Sequence, residues 1–434
     1  MAAGRSAGSH RSRMIVGALA VTQTVGYGTL YYAFSVFLVP LATDLNASTT
    51  AVTGSFTANV LASAALAIPV GRWLDRHGGR ALMTAGSTAG TLLLAAWSQV
   101  DGLWQLYAVQ IGIGIASAAC LYEAAFAVII AWHTPEKRSM ALLALTVVAG
   151  FASSIFLPLT GWLVNQYGWR AALLILAAVQ ALLTIPAHAT VLRPAPGRPA
   201  DARHRPLRLK AVLADRPFWL LTLGFTAHSA AVATVGVLLI AALVDWGHSP
   251  TFAATVAGLF GVLSVTGRLV TTGLQRRFRT TIVVAAIFAL QGSAAVVLAL
   301  AGRNAIAAVV AVTSFGLGFG VGSIAKPLLL AERYDTRRYA SIAGVLVVPM
   351  TIAKATAPLA GAGLHVLSGD FAGVFLATAA TCAVGAAAIA AVPRPHYYRP
   401  PCHKRAMRSS TSARRCSDMP SASSRRGREA GSNM

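Results

Sequence analysis

Positive charge is distributed unevenly along this chain of 434 residues. The chain contains twelve long apolar stretches. Of its 36 Lys and Arg, 31 lie at the two ends of the chain or in alternate gaps between those stretches. An α-helix of about 20 residues crosses the roughly 30 Å hydrocarbon core of a bilayer. The pattern therefore predicts an all-α membrane protein with twelve transmembrane helices. The stretches are 14–42, 52–71, 81–100, 103–131, 139–164, 171–192, 217–244, 251–275, 280–302, 304–331, 339–366 and 370–392.

The same alternation predicts an orientation. The gaps on the other side contain only two cations, Arg170 and Arg303. Short loops rich in Lys and Arg stay in the cytoplasm, so both termini are expected there. We therefore expect a multi-pass protein of the inner or plasma membrane.

Composition supports a membrane protein and makes a nucleic-acid-binding protein improbable. The chain is 56% hydrophobic and 11% charged, far too apolar for an ordinary soluble domain. In a soluble protein, the formal net charge of +23 would suggest a nucleic-acid partner. Here the cations lie in loops and tails, where topology and anionic lipid headgroups account for them. The expected partners are thus membrane lipids, not nucleic acid.

Catalytic and cofactor motifs are missing from the sequence. It has no nucleophile–base–acid set at a plausible spacing and no Walker-type loop. The four cysteines form no framework that would indicate disulfides or a metal site. The sequence therefore predicts neither an enzyme nor an ATP-driven pump, and it implies no cofactor and no metal ion.

Two similar halves, offset by about 200 residues, make up the chain. Three pairs of motifs recur in register, which argues for an internal duplication. The pairs are Pro158-Leu159-Thr160-Gly161 with Pro358-Leu359-Ala360-Gly361, Lys137-Arg138 with Arg337-Arg338, and Gly112-x-Gly114 with Gly316-x-Gly318.

The duplication predicts the organisation of the chain. Two parallel six-helix repeats with a substrate site between them near the midplane define one transporter architecture. We expect a monomer with five segments: a cytoplasmic arm at 1–13, a six-helix bundle at 14–192, a cytoplasmic linker at 193–216, a second six-helix bundle at 217–392 and a disordered basic tail at 393–434.

The loop after the second stretch carries a family signature. Its sequence, GRWLDRHGGR at 71–80, resembles the major facilitator superfamily motif G-x-x-x-D-R-x-G-R-[RK] and departs mainly at Gly79. The resemblance implies a twelve-helix transporter with a charged latch at one gate. The equivalent stretch at 273–277 has no acid, so a symmetrical second latch is not expected. The gating motif comprises Gly71, Asp75, Arg76, Gly78 and Arg80.

Two residues of that motif have an evident physical use. Gly71 permits tight helix packing, while Asp75 can accept hydrogen bonds from helix N-terminal amides or pair with a neighbouring Arg. The basic residues of the motif also follow from topology alone.

A narrower resemblance rests on three spans. The segment 26–32, with its glycines and tyrosines, together with Arg268 and Lys354, resembles the branch of monocarboxylate transporters and oxalate:formate antiporters. In that branch, an Arg on the eighth helix and, in the oxalate exchangers, a Lys on the eleventh bind the anionic substrate. Ser264 stands where the animal carriers have an Asp, and the first span has no Lys. The proton-coupling residues of those carriers therefore do not transfer.

Cations inside spans are the candidate substrate ligands. Lys354 lies near the centre of its span, where an uncompensated ammonium costs at least a few kcal/mol. It is expected to contact an anionic substrate, with an ion pair to Glu123 as the alternative. Arg268 could bind a carboxylate bidentately, or else bond helix-end carbonyls or extend to the cytoplasm. Tyr27 and Tyr31 are expected to form the floor of the substrate cavity.

Glu123 is the only acid deep in any span. Lys326 lies near the corresponding position of the repeat-related helix, so the two side chains could pair across the pseudo-twofold axis. The alternative is that Lys326 extends to the cytoplasm. A proton on Glu123 and a substrate anion would compete for the same cation, which makes the pair a candidate coupling site.

The sequence therefore predicts a secondary active transporter that works by alternating access. Its expected substrate is a small organic anion, a mono- or dicarboxylate, with protons or a counter-anion as coupling partners. The alternative is proton-coupled efflux of drugs or other toxic compounds. A transporter-like sensor that binds without transport is a third class.

Overall fold

Twelve helices cross the structure, close to the predicted stretches. The computed structural model describes residues 2–193 and 212–393. Ten helices there are long and apolar enough to cross a membrane, and one of them, Pro135–Val191, holds two crossings that meet at Gly168 (φ 77°). The helix Gly79–Trp97, which is not among those ten, brings the number to twelve. We number the helices α1 (His10–Asp44), α2 (Thr49–His77), α3 (Gly79–Trp97), α4 (Leu103–Trp132), α5 (135–167), α6 (169–191), α7 (Arg216–Asp245), α8 (Pro250–Leu274), α9 (Thr280–Ala301), α10 (Ala305–Arg333), α11 (Tyr339–Ser368) and α12 (Ala372–Ala390).

The predicted division of the chain falls only partly within these residues. The described residues belong to one compact unit. The division into bundles at 14–192 and 217–392 remains a prediction. Most of the predicted linker at 193–216 and nearly all of the tail at 393–434 lie outside the described residues. Below, α1–α6 are called the first half and α7–α12 the second half. The terminal face is the end of the bundle at which α1 begins and α12 ends.

Four helices are interrupted near their middles. A π-helical turn in α1, Gly28–Tyr32, carries two of the tyrosines noted in the sequence. In α4 the segments Leu103–Cys120 and Tyr122–Trp132 meet at Leu121, whose backbone is extended (φ −88°, ψ −159°). The remaining two breaks separate Pro135–Ala149 from Ala152 in α5, and Ala305–Phe319 from Val321–Arg333 in α10. Such irregular backbone inside a membrane is tolerated where protein or a water-filled cavity satisfies its polar groups.

In both halves, glycines allow the backbones of neighbouring helices to come into contact. A Cβ on Gly114 of α4 would overlap the carbonyl of Asn59 in α2. Asn59 in turn donates to Gln110 of α4 at 2.9 Å. In the second half, a Cβ on Gly267 of α8 would overlap the carbonyl of Leu317 in α10. Small residues therefore set the closest helix contacts, as is usual in membrane proteins.

An arginine ties three elements together at the face opposite the termini. Arg170, at the start of α6, donates to Asp44 at 2.5 Å and to Asp101 at 3.1 Å. Its guanidinium also lies 4.2 Å from the centre of the Trp169 ring. These groups are partly exposed, so each pair contributes only about 0–1 kcal/mol. The contacts join the end of α1, the α3–α4 loop and the start of α6.

The second half has the same arrangement with the charges exchanged. Asp370, between α11 and α12, accepts from Trp246 Nε1 at 2.8 Å and lies 3.5 Å from Arg303. The Trp246 hydrogen bond is the main reason that the pKa of Asp370 lies below its usual value. Arg170 and Arg303, the two cations on this face, are thus accounted for by ion pairs within their own halves.

His133, between α4 and α5, fixes the start of α1. Its Nδ1 donates to the carbonyl of Ile129 at 3.0 Å, and its Nε2 accepts from the Ser12 hydroxyl at 2.6 Å. Burial, reinforced by the cations Lys137 and Arg138, lowers the pKa of His133 below its ordinary value. The neutral imidazole is therefore the form that the fold prefers.

Acid conditions are expected to cost stability at this histidine. Because the folded-state pKa is depressed, the stabilisation is present above the unfolded pKa of about 6.5 and is lost as pH falls toward the folded value. Thermal unfolding in detergent at pH 7.5 and 5.5 checks this. The wild type should lose more stability between the two conditions than His133→Gln, which cannot titrate. Equal losses would contradict the assignment.

Candidate functional site

An ion pair joins the two halves near the middle of the bundle. Lys326 Nζ, on α10, donates to Oε1 of Glu123, on α4. The Lys326 side chain is 6% exposed and that of Glu123 is 31% exposed. The second carboxylate oxygen, Oε2, is buried and has no hydrogen-bond partner among the described residues. The structure therefore places Lys326 on Glu123 instead of extending it to the terminal face.

Lys354, on α11, has no such ion pair among the described residues. No carboxylate of the described chain lies within 4 Å of its ammonium, and the residue is exposed to solvent. It also lies deep among the helices, within electrostatic range of Lys326 and Glu123. A side chain that is both deep and exposed faces an internal space that solvent reaches.

Arg268, on α8, contacts the backbone at two helix breaks. Its Nη1 donates to the carbonyl of Thr146 in α5 at 2.6 Å, and its Nε donates to the carbonyl of Gly320 in α10 at 3.4 Å. The residue is 8% exposed. Its remaining nitrogen, Nη2, has no hydrogen-bond partner among the described residues. The sequence left open whether Arg268 bonds helix-end carbonyls or extends to the cytoplasm, and the structure shows the hydrogen bonds to carbonyls. Its Nη2 can still donate a hydrogen bond to another acceptor.

Aromatic rings surround these charges. Tyr27 packs on Tyr31, with ring centres 6.0 Å apart, and on Tyr122, with ring centres 4.5 Å apart. Tyr31 lies 5.3 Å from Tyr32, and Tyr32 and Tyr122 are within electrostatic range of Arg268. Tyr31 is 39% exposed, so it contributes to the wall of the internal space. The π-turn of α1 and the break of α4 bring these four rings together.

Two further groups lie near these charges and were not predicted from the sequence. His228, on α7, stacks on Phe288 with ring centres 4.3 Å apart and lies within electrostatic range of Lys354. Tyr339, at the start of α11, has a buried hydroxyl without a partner in the described chain and lies within range of Glu123. In the sequence, His228 is a lone histidine in an apolar stretch, a pattern that does not by itself indicate a site. Tyr339 follows the Arg337-Arg338 pair, which contains no signal for a central role.

No group of three or more His, Cys, Asp or Glu in residues 2–193 and 212–393 is arranged to hold a metal ion. The central site instead gathers three cations and one carboxylate, a formal charge of +2 if all are ionised. An excess of positive charge in a low-dielectric setting attracts anions.

The latch residues meet α11 at the terminal face. Asp75 accepts hydrogen bonds from the backbone amides of Ala340 at 3.1 Å and Ser341 at 2.8 Å. A Cβ on Gly71 would overlap the Ala340 carbonyl, and a Cβ on Gly344 would overlap that of Ala67. The carboxylate therefore satisfies amides in the first turn of α11, where the helix dipole also favours negative charge.

The other residues of the gating motif make fewer contacts. Gly78 ends α2 with φ 78°, a conformation that favours glycine. Arg76 and Arg80 are exposed and have no ion pair among the described residues. In the related stretch of the second half, 273–277, Gln275 accepts a hydrogen bond from Ser139 at 3.3 Å. The charged latch thus has a neutral counterpart between α8 and α5.

Twelve membrane helices around a charged, solvent-reached centre define a membrane transporter. The family model for the Major Facilitator Superfamily matches residues 20–353, and the chain belongs to that superfamily. Its members and the solved structures that resemble this fold are transporters, not enzymes. The twelve-helix class predicted from the sequence is confirmed.

Among curated relatives, monocarboxylate transporter 13 of Rattus norvegicus is 30% identical over 204 residues, which are 46% of this chain and 47% of the relative. An MFS-type efflux pump of Mycolicibacterium smegmatis is 30% identical over 178 residues, 41% of each chain. The chain spans about half the length of the curated relatives it matches, or less. The E. coli fucose:proton symporter FucP shares the fold, with a TM-score of 0.65 at 15% identity over 87% of this chain and 96% of that chain.

Proposed function

We propose that this protein is a secondary active transporter that moves a small organic anion, a mono- or dicarboxylate, by alternating access. The observation that carries the proposal is the excess of cations at the centre. Glu123 neutralises Lys326, which leaves Lys354 and Arg268 without a carboxylate partner in the described chain. An anionic substrate supplies the missing charge.

Lys354 is the main substrate ligand in this proposal. It is exposed to the internal space, and its ammonium can donate three hydrogen bonds to a carboxylate. Such charge-assisted hydrogen bonds are roughly twice as strong as neutral ones. Tyr27 and Tyr31 line the same space and limit the size of the anion.

Arg268 contributes one contact instead of a bidentate grip. Its Nε and Nη1 are held by backbone carbonyls, so Nη2 is the group that reaches a carboxylate oxygen. A dicarboxylate could then bridge Lys354 and Arg268, whereas a monocarboxylate would use mainly Lys354. The similarity to monocarboxylate transporter 13 supports this substrate class.

The location and partners follow from the charge pattern. The proposed location is the inner or plasma membrane, with both termini in the cytoplasm. The terminal face is then the cytoplasmic face. The proposed oligomeric state is a monomer. Protons or a counter-anion are the proposed coupling partners.

Proton-coupled efflux of drugs or other toxic compounds is the second candidate. The efflux-pump relative favours it. The two functions differ in the charge of the transported molecule. Two unpaired cations in the site attract an anion and would repel the cationic drugs that many efflux pumps export.

The decisive experiment is uptake of labelled oxalate, formate, lactate and pyruvate into proteoliposomes, each with a pH gradient or with an internal counter-anion. Saturable uptake of at least one acid, absent from protein-free liposomes, is expected. Absence of uptake under all these conditions would contradict the anion proposal. Export of a lipophilic cation such as tetraphenylphosphonium would then support the efflux alternative.

A further inference from the structure

The Glu123–Lys326 pair has a position that the substrate ligands do not share. Glu123 lies in the first turn of the second α4 segment, and Lys326 lies in the second α10 segment. Both segments run from a central break to the terminal face. The pair therefore connects the two halves on the terminal side of the central site.

Other contacts between the halves occur on the same side. Asp75 holds the start of α11, and Ser139 of α5 contacts Gln275 of α8. In this structure the halves are thus joined at the terminal face. Moving them apart at that face separates Glu123 from Lys326.

Separation of the pair leaves two charges in need of compensation. Breaking a buried ion pair is strongly destabilising when one charge stays uncompensated. Two molecules can supply the compensation. A proton on Glu123 removes the negative charge, and a substrate carboxylate on Lys326 balances the positive charge.

The geometry of Glu123 suits it to receive the proton. Oε1 faces Lys326, whereas Oε2 is buried without a partner in the described chain. The Glu123 side chain as a whole is 31% exposed, so solvent reaches the group that carries this oxygen. Four titratable groups from α1, α10 and α11 face it: Tyr27, Lys326, Tyr339 and Lys354.

We infer that the Glu123–Lys326 pair is the coupling switch of this transporter: one proton on Glu123 breaks the pair and opens the terminal face, where water solvates Lys326 until the anion binds to it. The proton adds to the carboxylate and forms a neutral carboxylic acid. Lys326 keeps its own proton and exchanges Glu123 for the carboxylate of the substrate. The coupled transport rests on the function proposed above, whereas the effect of pH on opening does not require a substrate.

The first test measures opening directly, without a substrate. Spin labels are placed at Lys137→Cys and Arg337→Cys, exposed positions of the terminal face related by the duplication, in a chain without its native cysteines. Between pH 8 and pH 5, the distance distribution of the wild type is expected to shift toward longer distances. Glu123→Gln should show the long distances at both pH values.

Two variants serve as controls. Glu332→Gln makes the same change at a carboxylate whose partner, Thr280, lies in the same half, and it should keep the wild-type pH response. The double variant Glu123→Gln/Lys326→Gln removes both charges, so it avoids a lone buried lysine and should also lose the pH response. A pH response that persists in Glu123→Gln would arise elsewhere, for example at Asp75, and would overturn the inference. So would a wild type that does not respond to pH.

The second test measures coupling with labelled lactate. In an electroneutral symport of one proton with each anion, a gradient of one pH unit drives about tenfold accumulation, since one pH unit and a tenfold concentration ratio correspond to the same free energy. The wild type is expected to accumulate lactate in this way, and Glu123→Gln to exchange lactate without accumulating it. Accumulation by Glu123→Gln would overturn the coupling role. Absence of any lactate exchange by the wild type would count against lactate as the substrate, and the pH response of the labels would still decide the switch.

Discussion

Replacement of Lys354 by Gln is expected to reduce the rate of anion uptake at low substrate concentration by at least about 30-fold. Removing one member of a buried, hydrogen-bonded charge pair costs about 2–5 kcal/mol, and each 1.4 kcal/mol is a factor of ten. The loss should be large because the other two cations of the centre are already engaged while the terminal face is closed, so Lys354 is the one that meets the anion first. Lys326 is paired with Glu123, and Arg268 is held by the backbone. Uptake into proteoliposomes checks the effect.

Two variants make that measurement specific. Lys354→Arg keeps the charge and should retain part of the activity, though the guanidinium has a different shape. Arg303→Gln removes a cation from the exposed opposite face, where its side chain is 69% exposed, and should change uptake by less than about twofold, as expected for a surface ion pair. A folded Lys354→Gln protein with wild-type uptake would remove Lys354 from the site.

Replacement of Gly71 by Ala is expected to open the terminal face and to reduce transport by about tenfold. The added Cβ overlaps the Ala340 carbonyl, which is backbone and cannot rotate away. Overpacking of this kind costs about 1–3 kcal/mol, and here only the closed arrangement bears that cost. A cost that falls on one of two states shifts the population toward the other. The label pair at Lys137 and Arg337 should therefore report longer distances at every pH.

Two further glycines test this explanation. Gly344→Ala should act in the same way, because its Cβ would overlap the Ala67 carbonyl from the other side of the α2–α11 contact. Gly258→Ala is the matched control, since nothing lies within 4 Å of its added Cβ. Unchanged label distances in both Gly71→Ala and Gly344→Ala would mean that this contact does not control the terminal face.

The number of helices was predictable because hydropathy and charge are local properties of the sequence. The spans, their order and the duplication required no knowledge of contacts. The Glu123–Lys326 pair was accessible as one of two alternatives, because the two residues stand near related positions of the halves. Their contact, as opposed to the extension of Lys326 to the terminal face, depends on how α4 and α10 meet.

The breaks inside the helices were not predictable. Leu121 is an ordinary helix former, yet its backbone is extended, and α5 is interrupted after Ala149 and not at Pro158. These irregularities exist because neighbouring helices satisfy the polar groups that they free. The role of Arg268 follows from them, since its partners are the carbonyls of Thr146 and Gly320 at two such breaks. The sequence shows that an arginine lies in this span, but it does not show which backbone carbonyls the arginine contacts in the fold.

The position of Arg268 also determines where a rocking motion can have its fulcrum. The residue belongs to α8 of the second half, and it is hydrogen-bonded to α5 of the first half and to α10 of its own half. If that bond persists while the terminal face opens, the halves cannot separate at this depth and must rotate about it. Each end of the bundle would then open only as the other closes. A substrate that draws the guanidinium away from Thr146 would break the hydrogen bond about which the halves rotate. Substrate binding would then lower the energy barrier to the rotation as well as bias its direction.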